Sequence, residues 1–95
     1  MNPFYSNKEK EQTSGDVLEQ HSDIFDLVLY NDDFNTFDWV IDSLIDVCKH
    51  DELQAEQCAF IVHFKGKCDV KSGDFSTLEP LHRELSNRDL TVEIE

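Results

Sequence analysis

The sequence predicts one α+β domain, a two-layer α/β sandwich with three helices on one face of a three-stranded antiparallel sheet. Two segments, one near residue 27 and one at the end of the chain, alternate apolar and polar residues, a period typical of half-buried strands. Apolar residues recur at helical spacing in three runs between them. Because each strand has one apolar face to cover, the helices are expected on that side, in the order β-α-α-β-α-β.

Composition limits the function before any motif is considered. The 95 residues carry 8 basic and 21 acidic side chains, a net charge of −13, which repels phosphate backbones and excludes a nucleic-acid partner. No apolar run approaches the ~20 residues of a membrane span, and no basic start precedes an apolar stretch. We therefore expect a cytoplasmic protein without a membrane partner, and the high charge favours a monomer.

The chain divides into a tail and a folded domain. Residues 1–22 are rich in Lys, Glu, Gln, Ser and Asn and show no sustained hydrophobic period. Such a composition buries too little apolar surface to offset the entropy of ordering. We predict a disordered N-terminal extension over residues 1–22 and a core domain over residues 23–95.

The first strand and the first helix are separated by a polar corner. Alternation predicts the strand from Ile24 to Tyr30, and the corner Asn31-Asp32-Asp33 follows it. Asn35 or Thr36 is a suitable N-cap for a helix over residues 36–49. The apolar positions of that helix are Phe37, Val40, Ile41, Leu44, Ile45 and Cys48.

The second helix has clear start and stop signals. Asp51 with Gln54 three residues later is a capping pattern, and Gly66 is a typical residue after a helix end. The predicted inward stripe consists of Ala55, Cys58, Ala59 and Val62.

The last third of the chain predicts a strand, a helix and a strand. A short strand is expected around Cys68 and Val70, followed by a turn at Ser72-Gly73-Asp74. Ser76 with Glu79 forms a capping box, which would place Pro80 in the first turn of the third helix or just beyond it. The closing strand alternates Leu90, Val92 and Ile94 with polar residues.

The sulfur and imidazole groups do not predict a catalytic or metal centre. Cys48, Cys58 and Cys68 form no CxxC pair and match no standard zinc spacing with the histidines, so we expect buried, inert thiols and no metal or cofactor. An enzyme using His63 with Asp32 or Cys58 would need a nucleophile elbow or an oxyanion loop, and the sequence has neither. The prediction is a protein without catalytic activity.

The corner and His63 each allow two interpretations. Runs such as Asn31-Asp32-Asp33 are usually turns whose side chains bind nearby backbone, and His63, on the last turn of the second helix, favours a structural histidine. Alternatively, acceptor oxygens at a strand-to-helix corner suit a ligand with hydrogen-bond donors and positive charge, either an amine or a metal ion.

The two features together carry a family resemblance. Asn31-Asp32-Asp33 and His63-Phe64-x-Gly66-Lys67, about thirty residues apart, resemble ClpS, the adaptor of the Clp protease, and the similarity extends over about residues 24–95. The resemblance implies an adaptor that binds N-degron proteins beginning with Phe, Leu, Trp or Tyr. It would deliver them to a Clp AAA+ unfoldase, whose N-terminal domain is the expected partner.

The resemblance also implies roles for individual residues. Where the family often has methionine, this chain has Phe37 and Ala59. By matched position, Asn31, Asp32 and His63 would bind the α-amino group, Asp33 and Asn35 would form the rim, and Phe37, Val40, Ala59, Val62 and Leu90 would form the hydrophobic pocket.

A second interpretation of the sequence is an interaction domain like the C-terminal domain of the ribosomal stalk protein, which has a similar fold and lacks this pocket.

Overall fold

The computed structural model describes residues 23–95 and confirms the predicted order of elements. The predicted extension of residues 1–22 lies outside the described residues. Within residues 23–95, no helix is long and apolar enough to cross a membrane. The elements are β1 (Phe25–Tyr30), α1 (Phe37–Cys48), α2 (Glu52–Lys65), β2 (Lys67–Gly73), α3 (Phe75–Asn87) and β3 (Thr91–Ile94).

The sheet and the helices form the two predicted layers. Strand β1 lies in the centre and pairs antiparallel with both β2 and β3. Leu27 and Leu29 of β1 share one buried cluster with residues from all three helices. The fully buried leucines of this core are Leu27, Leu29, Leu44, Leu78 and Leu85.

Strand β2 is longer than predicted and contains an irregularity. Ser72 and Gly73 pair with the start of β1, so the predicted turn at Ser72-Gly73-Asp74 is wrong at its first two residues. Pairing satisfies backbone groups that a turn would leave to solvent. Val70 is the extra residue where the register shifts, and its carbonyl accepts a hydrogen bond from the buried His50 ring at 2.7 Å.

Helix α3 begins two residues earlier than predicted. Asp74, rather than Ser76, is the N-cap: its carboxylate accepts from the Thr77 backbone N–H at 2.8 Å and from the Ser76 hydroxyl at 3.0 Å. A carboxylate at this position also interacts favourably with the helix dipole. Pro80 consequently lies in the second turn of the helix, where its missing N–H leaves the exposed Ser76 carbonyl without its usual partner.

The Asp74 cap makes stability depend on pH in acid. The Thr77 side chain, the Thr77 backbone N–H and the Ser76 hydroxyl hold the pKa of Asp74 below its ordinary value. The contribution of the carboxylate to the free energy of unfolding is therefore complete above the unfolded pKa of about 3.9 and is lost as pH falls through the lower folded value. Asp74→Asn keeps a good N-cap but removes this titration.

We expect the stability difference between the wild type and Asp74→Asn to shrink as pH falls from 6 to 3. Urea unfolding of both proteins across this range measures the difference. A stability difference that does not change with pH would show that ionisation of the Asp74 carboxylate does not contribute to the free energy of unfolding.

Candidate functional site

The polar corner lies beside the end of helix α2. The backbone N–H of Asn31, the first residue after β1, donates to the Gly66 carbonyl at 2.9 Å. Gly66 ends α2 with a φ of 96°, a left-handed conformation that glycine adopts without penalty. This contact fixes Asn31 close to His63, which is on the last turn of α2.

Asp32 organises the corner through three hydrogen bonds. One carboxylate oxygen, Oδ1, accepts from the backbone N–H groups of Phe34 and Asn35, both at 2.8 Å, and Oδ2 accepts from the Asn35 side-chain amide at 2.9 Å. The predicted turn interpretation is therefore correct for Asp32. A carboxylate offers about four acceptor sites, so it retains capacity for a further donor.

The same contacts keep Asp32 ionised. Burial raises its pKa, but the hydrogen bonds from the Asn35 backbone, the Asn35 side chain and the Phe34 backbone together lower it, and the pKa of Asp32 lies below its ordinary value. At neutral pH the corner therefore carries a fixed negative charge, which favours a cationic ligand.

The corner is also tied to the turn between α3 and β3. The Asn35 side-chain amide donates to the Asp89 carbonyl at 2.9 Å, and the Trp39 indole donates to the Arg88 carbonyl at 2.9 Å. Both N–H groups of the Asn35 amide are thereby used, so its oxygen is the acceptor that remains. These bonds also position Leu90, which follows directly on Asp89.

A cavity of about 50 Å³ opens at this corner. Nine of the ten residues predicted for the site line it. Asp33 does not line it and is exposed. Sequence reasoning missed Leu29 and Tyr30, which the alternation assigned only to the strand. The complete lining consists of Leu29, Tyr30, Asn31, Asp32, Asn35, Phe37, Val40, Ala59, Val62, His63 and Leu90.

The lining combines two kinds of chemistry. Asn31, Asp32 and Asn35 contribute carboxylate or amide oxygens, and a neutral His63 can accept through one ring nitrogen. The remaining wall is mostly aliphatic and aromatic. An ammonium group needs convergent acceptors and an apolar side chain gains from leaving water, so the cavity suits a ligand that carries both.

His63 is not a semi-buried histidine whose ring nitrogens are hydrogen-bonded, which its position in the sequence had favoured. It is exposed, and within residues 23–95 its ring nitrogens have no hydrogen-bond partner. Its ring instead packs edge-on against Phe37 and Phe64, with centroid distances of 5.7 and 4.9 Å. Aromatic contacts therefore orient the ring, and no residue in the range 23–95 competes with a ligand for its nitrogens.

Of the three cysteines predicted to be buried, Cys48 and Cys58 are buried and Cys68 is partly buried. Burial, partly offset by Lys71, raises the pKa of Cys48 to about 11. Burial and the contact with Cys58 raise the pKa of Cys68 to about 12. The thiolate is the reactive and metal-binding form, and it is scarce at neutral pH at such values. Within the described part of the chain, no three His, Cys, Asp or Glu side chains are grouped to hold a metal ion.

Comparison with known proteins places these features in a family context. The family model for ClpS, described as the ATP-dependent Clp protease adaptor protein, matches residues 20–93. The solved structure of Agrobacterium tumefaciens ClpS2 bound to L-phenylalaninamide superposes with a TM-score of 0.73 at 20% identity, covering 79% of this chain and 98% of that one. At this identity the superposition establishes the shared fold. A search of curated protein sequences found no match.

Proposed function

The chain belongs to the ClpS family of Clp protease adaptors, and from this premise we propose that it binds N-degron proteins through a free α-amino group and a bulky hydrophobic first side chain. Asn31, Asp32 and His63 bind the amine in this proposal, with Asn35 at the rim. Phe37, Val40, Ala59, Val62 and Leu90 enclose the side chain.

The observation that carries the proposal is the cavity itself, which combines an ionised carboxylate, further acceptors and an apolar wall. An internal or acetylated residue has no ammonium group and would leave these acceptors unpaired, which is costly. A polar first side chain would lose its hydration against the apolar wall. The ligand of the Agrobacterium protein, L-phenylalaninamide, has both a free amine and a benzyl side chain, in agreement with this scheme.

Delivery is the second half of the proposal. The bound substrate passes to a Clp AAA+ unfoldase through contact with the N-terminal domain of that enzyme, and the adaptor acts as a monomer in the cytoplasm. Family membership supports this role over the stalk-like alternative, because the family described by the model is a protease adaptor. An adaptor role requires no catalytic residue.

We expect the full chain to bind a labelled peptide beginning with Phe at least tenfold more tightly than the N-acetylated peptide. The reason is that acetylation removes both the charge and two of the donors of the amine. Fluorescence anisotropy with both peptides measures the ratio. Equal affinity for the two forms would refute the amine pocket, whereas a stalk-like interaction domain would bind neither.

A further inference from the structure

An exposed row of aromatic rings adjoins the cavity. Phe60 and Phe64, one turn apart on the outer face of α2, are 51% and 73% exposed, and Phe37 at the start of α1 is 37% exposed. Phe37 packs edge-on against Phe60 at 5.0 Å, and Phe60 lies parallel to Phe64 at 6.0 Å. We call Phe37, Phe60 and Phe64 the aromatic shelf. Contiguous exposed apolar side chains of this kind usually mark a binding surface.

The shelf continues the cavity without a gap. Phe37 lines both, whereas Phe60 and Phe64 do not line the cavity. His63, also in the cavity lining, contacts two of the shelf rings. None of the three rings belongs to the buried core cluster of residues 23–95, and each is more than a third exposed. Their arrangement therefore calls for an explanation outside the stability of the fold.

We propose that the aromatic shelf binds the side chain of the second residue of the N-degron and selects large apolar side chains there. This inference rests on the proposed function, which places the α-amino group of the substrate at His63. Consecutive Cα atoms are about 3.8 Å apart, and the Phe64 ring centre is 4.9 Å from that of His63. The second side chain is therefore within reach of the shelf.

The chemistry of the shelf decides which side chains it prefers. Edge-on and offset-parallel packing of a further ring against such a surface is favourable beyond the area it buries. An acidic or small polar second residue would gain nothing from three phenyl rings. A cationic one could bind over a ring face, and the net charge of −13 would attract it at low salt, so salt must be raised to separate the two effects.

The test compares peptides that begin Phe-Ala, Phe-Phe and Phe-Lys, with otherwise identical sequences, at about 0.3 M salt. We expect the Phe-Phe peptide to bind the wild type about two- to tenfold more tightly than the Phe-Ala peptide. Phe60→Ala, which removes a ring that does not contact His63, should remove this advantage and leave the affinity for Phe-Ala within about twofold. Phe64→Ala should weaken the binding of both peptides, and that of Phe-Phe more strongly, because its ring also orients His63. A role of Phe64 in orienting His63 alone would instead weaken both peptides equally and overturn the inference.

The matched control is Phe75→Ala, which also deletes an exposed phenyl ring. Phe75 packs against Phe25 at the start of β1, whereas the cavity is at the other end of this strand, and the advantage of Phe-Phe should persist. A wild type that does not distinguish Phe-Phe from Phe-Ala, or that prefers Phe-Lys, would refute the shelf as an apolar subsite while the amine pocket stands.

Two further outcomes would also refute the inference. If the wild type binds none of the free-amine peptides, the proposed function fails and the shelf proposal fails with it. If the shelf instead holds a second copy of this chain, sedimentation would show a dimer that Phe64→Ala dissociates, without any preference at the second residue.

Discussion

Exchanging Asp32 for asparagine is expected to weaken binding of a free-amine phenylalanyl peptide by about 10- to 100-fold, the range for losing a hydrogen bond between charged groups. The substitution removes the fixed negative charge that the corner holds beside the amine. The remaining oxygen of the asparagine can still accept from the Phe34 and Asn35 backbone N–H groups, which Asp32 now does at 2.8 Å. The turn is therefore expected to survive, and the loss should lie in binding.

The neighbouring carboxylate provides the matched control. Asp33→Asn changes the net charge by the same amount, but Asp33 is exposed and does not line the cavity. We expect it to leave the affinity within about twofold, because an exposed charge acts only weakly through water. An equal loss in both variants would mean that general electrostatic attraction, rather than a specific amine contact, drives binding.

Binding of the acetylated peptide distinguishes a direct contact between Asp32 and the amine from an effect of Asp32 on the shape of the turn. If Asp32 contacts the amine, Asp32→Asn reduces the ratio of free to acetylated affinity towards one. A variant that binds more weakly but keeps the wild-type ratio would show that Asp32 acts only by shaping the turn. Urea unfolding of both variants checks that the domain remains folded.

Asp32 illustrates why the sequence predicted the site but left its interpretation open. Its carboxylate caps a turn and at the same time lines the cavity, so the turn contacts and the proposed contact with an amine do not exclude one another. A local sequence pattern indicates which nearby backbone groups a side chain can reach. Such contacts, like those of Asp32 with the next residues, do not depend on the tertiary fold. Whether its neighbour Asp33 reaches the cavity depends on how the turn is oriented, which no spacing rule specifies.

The errors in the fold prediction have a common physical origin. Two good N-cap candidates, Asp74 and Ser76, lie two residues apart, and local preference alone does not separate them. The pairing of Gly73 with Phe25 extends β2 up to Asp74 and so decides where α3 begins. Long-range strand pairing thus selected between local signals of similar strength, whereas the long periodic helices α1 and α2 were predicted correctly.

Sequence reasoning missed two cavity residues of β1 and the exposed aromatic residues of α2. Leu29 and Tyr30 alternate as strand residues should, and only the end of the strand at the corner brings them to the cavity. Phe60 and Phe64 lie outside the predicted inward stripe of α2. Their spacing of four residues was the available signal, but exposure of large aromatic side chains is visible only when the neighbouring elements are in place.

Ala59→Met is expected to raise the preference for a leucine over an isoleucine N-terminus more than tenfold. Ala59 is 2% exposed and lines the cavity, so we expect a longer side chain at this position to extend into the pocket. The branch at Cβ of isoleucine should then collide with the methionine, whereas leucine branches one carbon further out.

The size of this effect follows from how pockets discriminate between aliphatic side chains. One methylene of misfit in a hydrophobic pocket changes relative affinity by about 10- to 200-fold. Anisotropy titrations with Leu- and Ile-initiated peptides give the ratio for each variant. Ile61→Met is the control, because Ile61 is on the same helix but is 40% exposed and outside the cavity lining.

A ratio unchanged by Ala59→Met would remove Ala59 from the wall that contacts the first side chain. Equal loss of Leu and Ile binding would mean that the methionine fills the whole pocket instead of narrowing one side. A ratio that rises with Ala59→Met and not with Ile61→Met would identify the residue at position 59 as a determinant of discrimination against β-branched N-terminal residues. Such a result would make selectivity a property of one wall residue, independent of the acceptors that bind the amine.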